Sequence, residues 1–148
     1  MKKSILQTQR SYLAGFLDGD GSIYVQLKLN KTYKYGFQVA PYIVLFQSSK
    51  DKDNFKQICS MINLGYMRTR NDGIVEYIIG KQEAINKFIK LVEPYVILKK
   101  AQVELIKKII ISKSKIKNKK DFENLAKLVD NFRNINYSKK RKLRTLTP

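Results

Sequence analysis

The sequence predicts an α+β domain in which an antiparallel sheet carries helices on one face. Three observations lead there. Apolar residues recur at helical spacing in 8–19, 52–63, 82–92, 97–112 and 121–135. Residues 22–30 alternate instead, with Ile23, Val25, Leu27 and Leu29 on one side and Ser22, Tyr24, Gln26, Lys28 and Asn30 on the other. Asn71-Asp72-Gly73 stands between two short runs, 65–70 and 73–80, as hairpin turns do. The order is therefore helix, two strands, helix, two strands, then helices: αββαββα with extra C-terminal helices.

The first helix, 8–19, has Thr8 and Ser11 as candidate caps. Tyr12, Leu13, Phe16 and Leu17 form its apolar face, and Gly19 and Gly21 are its stop signals. Turn-like Lys31 to Gly36 leads to a second strand over 37–47, where Pro41 predicts an edge or a bulge. Phe55, Ile58, Ile62 and Leu64 give the next helix its face, with Cys59 expected as a buried small hydrophobe. Ile85, Phe88, Ile89 and Val92 do the same for 82–92, which Pro94 ends. Leu98, Ala101, Leu105, Ile109 and Ile110 predict a helix over 97–112. Residues 113–120 read as a basic loop. Asp121 opens the last helix, where an acid suits the helix dipole. Residues 1–137 are expected to form one domain and 138–148 a basic tail.

Charge narrows the function. Thirty Lys and Arg oppose twelve Asp and Glu, a net +18 on 148 residues. Such a chain repels its own copies and attracts polyanions, nucleic acid first. A solvated lysine-rich surface is the plainer alternative. With no histidine, a Ser-His triad or a histidine base is excluded, and the single cysteine excludes a disulfide or a cysteine zinc cluster within the chain. Metal chemistry must then use hard oxygen ligands. No stretch reads as a membrane span or a signal peptide, so an intracellular setting is expected. Richness in Lys, Ile and Asn is compatible with an AT-rich organellar genome.

One stretch concentrates the chemistry: Leu13-Ala14-Gly15-Phe16-Leu17-Asp18-Gly19-Asp20-Gly21. Ala14, Gly15 and Gly19 line small residues along a helix, so a second backbone can approach closely. The helix end leaves carbonyl oxygens without partners, and Asp20 adds a carboxylate there. The set suits Mg²⁺. Two such helices side by side would bring two Asp20 carboxylates together, which needs cations between them.

The stretch resembles the signature of the LAGLIDADG homing endonucleases. It matches the first three letters, keeps apolar residues at the next two, and retains the Asp-x-Asp-Gly ending, with Gly19 in place of alanine. The motif occurs once, and single-motif members act as homodimers. The resemblance implies a pairing face of Leu13, Ala14, Gly15, Phe16 and Gly19, and a metal site of Asp20 and Gly19. It implies catalytic support from Gln47 and Lys99. A second basic residue is expected a few positions after Gln47, where this chain has Asp51 flanked by Lys50 and Lys52; Lys52 is the preferred match. Mg²⁺ would be the cofactor, with Mn²⁺ or Ca²⁺ able to support binding.

The resemblance also implies strands lying in the DNA major groove, where the even positions of 24–30 can donate or accept hydrogen bonds. The expected DNA contacts are Tyr24, Gln26, Lys28, Asn30, Thr32, Tyr33, Gln38, Arg68, Arg70 and Glu76, with Glu76 either accepting from cytosine or orienting an arginine. The lysines of 107–120 and the tail 139–144 are expected to meet phosphates. The implied activity is cleavage of both strands of a long pseudo-palindromic site, which starts intron mobility. The alternatives are an intron maturase that binds RNA and a DNA-binding protein without cleavage.

Overall fold

The computed structural model describes residues 4–136, so the basic tail and its expected phosphate contacts lie outside the described residues. The elements run α1 (Gln7–Asp20), β1 (Gly21–Leu29), β2 (Phe37–Ser48), a 3₁₀ turn (Ser49–Asp51) and α2 (Lys52–Ile62). They continue with β3 (Tyr66–Thr69), β4 (Ile74–Ile79), α3 (Gln82–Val92), α4 (Lys100–Ser114) and α5 (Lys119–Ile135). The four strands form one sheet in the order β1-β2-β4-β3. No described helix is long and apolar enough to cross a membrane.

The chain gathers into two compact units. One combines the chain up to Ile23 with Tyr42–Lys100, and the other Tyr24–Pro41 with the chain from Ala101. In the first, β2 pairs antiparallel with β4, and β4 with β3, in the registers Leu45↔Tyr77 and Met67↔Tyr77. Opposed residues share a sheet face. One face therefore carries Ile43, Leu45, Val75, Tyr77 and Ile79, all buried, in a core shared with Phe55, Ile85 and Phe88. The Tyr77 hydroxyl accepts from the Leu64 and Gly65 amides at 2.8 and 2.7 Å. Burial raises its pKa, and those two hydrogen bonds partly offset the rise. Gly65 cannot be replaced without movement, because a Cβ there would lie 2.1 Å from the Ile78 carbonyl oxygen.

In the second unit, the Phe122 ring stacks on Tyr35 and Phe37 at 5.2 and 6.3 Å. Val103, Ile106, Leu125 and Val129 complete a buried cluster. Buried Gln102 donates to the Ile135 carbonyl at 3.2 Å, so its desolvated amide is satisfied. Asn30 N–H donates to Gly36 across the β1–β2 turn, where Gly36 takes φ +81°.

Several expectations need correction. Neither Thr8 nor Ser11 caps α1; it starts after Leu6, whose N–H donates to the Gln9 side chain at 2.9 Å. Gly19 does not stop α1, which continues to Asp20. Gly21 does, leaving the helix in extended backbone, and a Cβ there would sit 2.7 Å from the Leu17 carbonyl oxygen. Tyr12 is exposed rather than on the apolar face. Pro41 lies in a central strand, but in the half of β2 that precedes the pairing with β4, which begins at Ile43. Leu29 runs out of the core at the end of β1. α4 begins at Lys100, and Leu98 and Ala101 are exposed while Val103 and Ile106 are buried. α5 begins two residues earlier than expected, at Lys119, with Asn118 as its cap accepting from the Asp121 N–H at 2.9 Å, and Asp121 lies in its first turn.

Two side chains of α1 fix the segment between α3 and α4. Arg10 donates from Nε to the Leu91 carbonyl at 2.8 Å and from Nη2 to the Lys90 carbonyl at 3.1 Å, covering the C-terminal carbonyls of α3. Its guanidinium also lies over the Tyr95 ring, 5.5 Å from the centroid. Asp18 accepts from three successive amides, those of Ile97, Leu98 and Lys99, at 2.8, 3.1 and 3.1 Å. The carboxylate satisfies amides just ahead of α4 that would otherwise lack partners, and it ties the connector to α1.

Asp18→Asn replaces one acceptor oxygen by a donor facing amide donors, and should lower unfolding free energy by about 1.5–3 kcal/mol in urea denaturation. An unchanged midpoint and slope would show that the three amides need no carboxylate. Burial pushes the Cys59 thiol up to about 12, so almost no thiolate exists at pH 8. Cys59 in the folded protein should resist a disulfide reagent at that pH and react in denaturant; equal rates in both would contradict its burial.

Candidate active site and nucleic-acid interface

The C-terminal turn of α1 separates two neighbouring carboxylates into different roles. Asp18 is committed to the amides of 97–99. Asp20 is exposed, and among the described residues no hydrogen bond or ion pair reaches its carboxylate. The Leu17 carbonyl accepts from the Gly21 N–H, and the Asp18 carbonyl accepts from Lys99 Nζ at 2.8 Å. Lys99 is thereby fixed against the last turn of the helix that ends in Asp20. Asp18 has a part the sequence did not separate from Asp20, since both read simply as acids of the motif.

Gln47 and Lys52 belong to a second framework, the β2–β4–β3 sheet and the start of α2. Gln47, Val75 and Thr69 lie opposite one another across β2, β4 and β3. Lys52 Nζ donates to Thr69 Oγ1 at 2.8 Å. Lys50 is exposed within the 3₁₀ turn. The Gln47 side chain turns back, its Oε1 accepting from the Ser48 N–H at 2.8 Å. The structure thus joins Lys99 to the α1 end, and Lys52 through Thr69 to the row containing Gln47. Thr69 has no signature in the sequence that distinguishes it from an ordinary strand residue.

The outward face of α1 differs from the expected one. Leu13 and Ala14 are 0% exposed within the chain, so neither belongs to an outer pairing face. Phe16 is half-buried, its ring stacked on Phe55 at 5.8 Å and tilted against Tyr12 at 6.4 Å. Exposed instead are Ser11, Tyr12, Gly15 and Gly19, close to the i, i+4, i+8 row of a helix. A Cβ at Gly15 or Gly19 would meet nothing within 4 Å. Among the described residues nothing requires glycine at either position, and the space outside each is open.

Donors for a hard cation at this end are the Asp20 carboxylate and the backbone oxygen of Gly19, of the right chemistry but too few for a full coordination sphere. Among the described residues no three acidic, histidine or cysteine side chains come together as a metal site. The donor set therefore fits a divalent metal as a partial site that oxygen atoms from outside the chain must complete.

Arg68 of β3 lies opposite Glu76 of β4, and Arg70 directly follows β3. Glu76 lies 3.8 Å from Arg68 Nε and 3.5 Å from Arg70 Nη1, and its side chain is only 15% exposed. It is placed to orient both arginines rather than to reach outward. Arg70 also pairs with Asp72 in the turn. In the other unit, Gln26 and Lys28 are exposed on β1, with Tyr24 half-buried. Asn30 and Thr32 are bonded together, Asn30 Oδ1 accepting from the Thr32 hydroxyl at 2.6 Å and its N–H at 3.1 Å, which shapes the turn. Tyr33 is exposed and Gln38 half-buried.

Comparison with known proteins agrees with this arrangement. The family model for LAGLIDADG endonucleases matches residues 13–112. The chain is similar to DNA endonuclease I-CreI of Chlamydomonas reinhardtii, 33% identical over 132 residues that span 88% of this chain and 80% of the relative. It is also similar to DNA endonuclease I-CvuI of Chlorella vulgaris, 32% identical over 115 residues, covering 78% and 70% of the two chains. The crystal structure of I-CvuI in complex with the I-CreI target in the presence of magnesium superposes with a TM-score of 0.85 at 29% identity, over 93% of this chain and 87% of that one. An archaeal intron-encoded endonuclease, I-Vdi141I complexed with DNA, shares the fold with a TM-score of 0.80 at 18% identity, over 94% and 90%. A single-motif helix ending in Asp20, the sheet order and the family match over two thirds of the sequence converge: the chain belongs to the LAGLIDADG endonuclease family.

Proposed function

We infer that this chain is a homing endonuclease that binds a long double-stranded DNA site as a pair of identical copies and hydrolyses both strands with divalent metal ions. The observation that carries the reading is the Asp20 carboxylate: exposed, without a partner among the described residues, and at the end of a helix whose glycine row opens outward. A second copy packed on Gly15 and Gly19 would bring the two helix ends together. A two-fold pair would read a roughly palindromic site. Leu13 and Ala14 anchor the helix from within, while Ser11 and Tyr12 flank the proposed contact.

Asp20 and the Gly19 carbonyl of each copy would hold the metal, with DNA phosphate oxygens supplying further donors. When bound there, a divalent ion would supply Lewis acidity toward water and the scissile phosphate. The Lys99 ammonium, fixed by the Asp18 carbonyl, supplies a cation for the phosphate's developing charge. Lys52, held on Thr69, contributes a second. Gln47 offers an amide that can orient water once its side chain leaves the Ser48 N–H. Solved complexes of I-CvuI were formed with magnesium and with calcium, which supports divalent-ion use in this family. The nucleic acid in the I-CvuI and I-Vdi141I complexes is DNA, and no observation favours RNA for this chain.

Recognition divides between direct and positioning contacts. Arg68 and Arg70, oriented by Glu76, suit guanine edges. Gln26, Lys28, Tyr33 and Gln38 present polar groups from the other unit, with Tyr24 beside them. Asn30 and Thr32 hold the turn that carries Tyr33.

The test is a plasmid carrying the uninterrupted host junction, incubated with Mg²⁺ and separately with EDTA. The wild type should cut both strands only with metal. Asp20→Asn should lose cutting by at least about a thousandfold, as loss of charge stabilisation of several kcal/mol implies, while binding the duplex as before. Undiminished cutting by the variant would remove Asp20 from the mechanism.

A further inference from the structure

The sequence gives Phe46 no role beyond the apolar run of a strand. The register gives it a position. Phe46 of β2 lies opposite Glu76 of β4, and Glu76 lies opposite Arg68 of β3. Opposed residues share a sheet face. Phe46, Glu76 and Arg68 therefore form one row across three strands, on the face opposite to the one where Leu45, Val75 and Tyr77 enter the core. Val44 and Ile78 are opposed in the next row of that outer face, and both are buried, at 2% and 7% exposed. They form a floor. Phe46 is half-buried, so part of its ring is open beside the charged pair.

A ring in that row does a different kind of chemistry from its neighbours. Glu76 and Arg68, 3.8 Å apart, carry charge, whereas the ring has neither donor nor acceptor. In the major groove, guanine, adenine and cytosine offer only donors and acceptors. Thymine alone adds an apolar group, its 5-methyl, and a phenylalanine side chain is among those that contact it. Adjacent strands lie about 4.8 Å apart, so Phe46 and Arg68 stand about 10 Å apart, within about three base-pair steps of 3.4 Å. One stretch of duplex can therefore meet both. A second copy of this chain is a poor occupant for the same face, because the net +18 repels it from the adjoining arginine.

We propose that Phe46 is a specificity-determining residue, whose ring packs on the 5-methyl group of a thymine within about three base pairs of the base that Arg68 reads. This rests on the reading of the chain as a DNA-binding endonuclease and deepens it. The contact excludes water from the methyl group and leaves no polar atom unpaired, so it favours thymine without a hydrogen bond. A cytosine at the same place offers an amino donor that the ring cannot accept as a side-chain oxygen would. Phe46 therefore sets base preference at one position of each half-site, and Arg68 sets it at another.

The experiment measures binding to the uninterrupted host junction and to duplexes that vary it one base pair at a time, with Ca²⁺ in place of Mg²⁺. The proteins are the wild type, Phe46→Ala and Phe46→Leu. The wild type should prefer thymine at one position of each half-site. Phe46→Ala should lose that preference and keep those at the other positions. Phe46→Leu, which still offers an apolar group, should retain it. Uracil in place of that thymine removes the methyl group alone. It should weaken wild-type binding about fourfold per half-site, as loss of one buried methyl implies, and leave binding by Phe46→Ala unchanged. A thymine preference that survives in Phe46→Ala overturns the proposal. So does wild-type binding that no thymine-to-uracil change weakens, a result that needs no variant to fold. Failure of the wild type to bind any of the duplexes would count against the endonuclease reading itself, so the two failures are distinct.

Discussion

The structure depends on a carboxylate that does no chemistry. Asp18 gathers the amides of Ile97, Leu98 and Lys99, and its own carbonyl receives Lys99 Nζ. A charged acceptor of several N–H groups is among the stronger polar contacts available to a protein. The connector just ahead of Lys100, where α4 begins, is thereby held against the end of α1. Arg10 closes the same connector from the other end of the helix through the Leu91 and Lys90 carbonyls. The two side chains make α1 a rigid mount for its own C-terminal residues.

Asp20, the last of those residues, has the opposite character. Two residues of helix rotate a side chain by roughly 200°, so one carboxylate turns into the chain while the other faces out. The division would let a motif with two acids serve stability and the proposed chemistry without conflict. The net +18 also opposes pairing of free copies. DNA, as a polyanion, relieves that repulsion at the place where the two helix ends would meet. In the proposed assembly, substrate, second copy and metal complete one another.

Much of this was legible in the sequence, for physical reasons. The alternation in 22–30 and the Asn71-Asp72-Gly73 turn depend on local geometry, and β1 and the β3–β4 hairpin appear where those signals placed them. Phe88 and Ile85 repeat at helical spacing, and α3 has the predicted limits. The start of α4 was not legible. Leu98 has the right spacing for a helix face, but it lies exposed in a connector tied to an acid 80 positions earlier in the chain. Leu13 and Ala14 look like interface residues because the motif is read as one unit. Only the packing shows that they face inward while Gly15 and Gly19 face outward. The role of Glu76 lay between two options until its burial between Arg68 and Arg70 was visible.

The central claim is that the Asp20 carboxylate is the chain's contribution to a divalent-metal site formed over DNA. The most direct measurement is Mn²⁺ binding to the protein–duplex complex, monitored by electron paramagnetic resonance, for the wild type and Asp20→Asn. Tight binding by the wild-type complex and its loss in the variant is the predicted result. Equal Mn²⁺ uptake by both complexes would contradict the account.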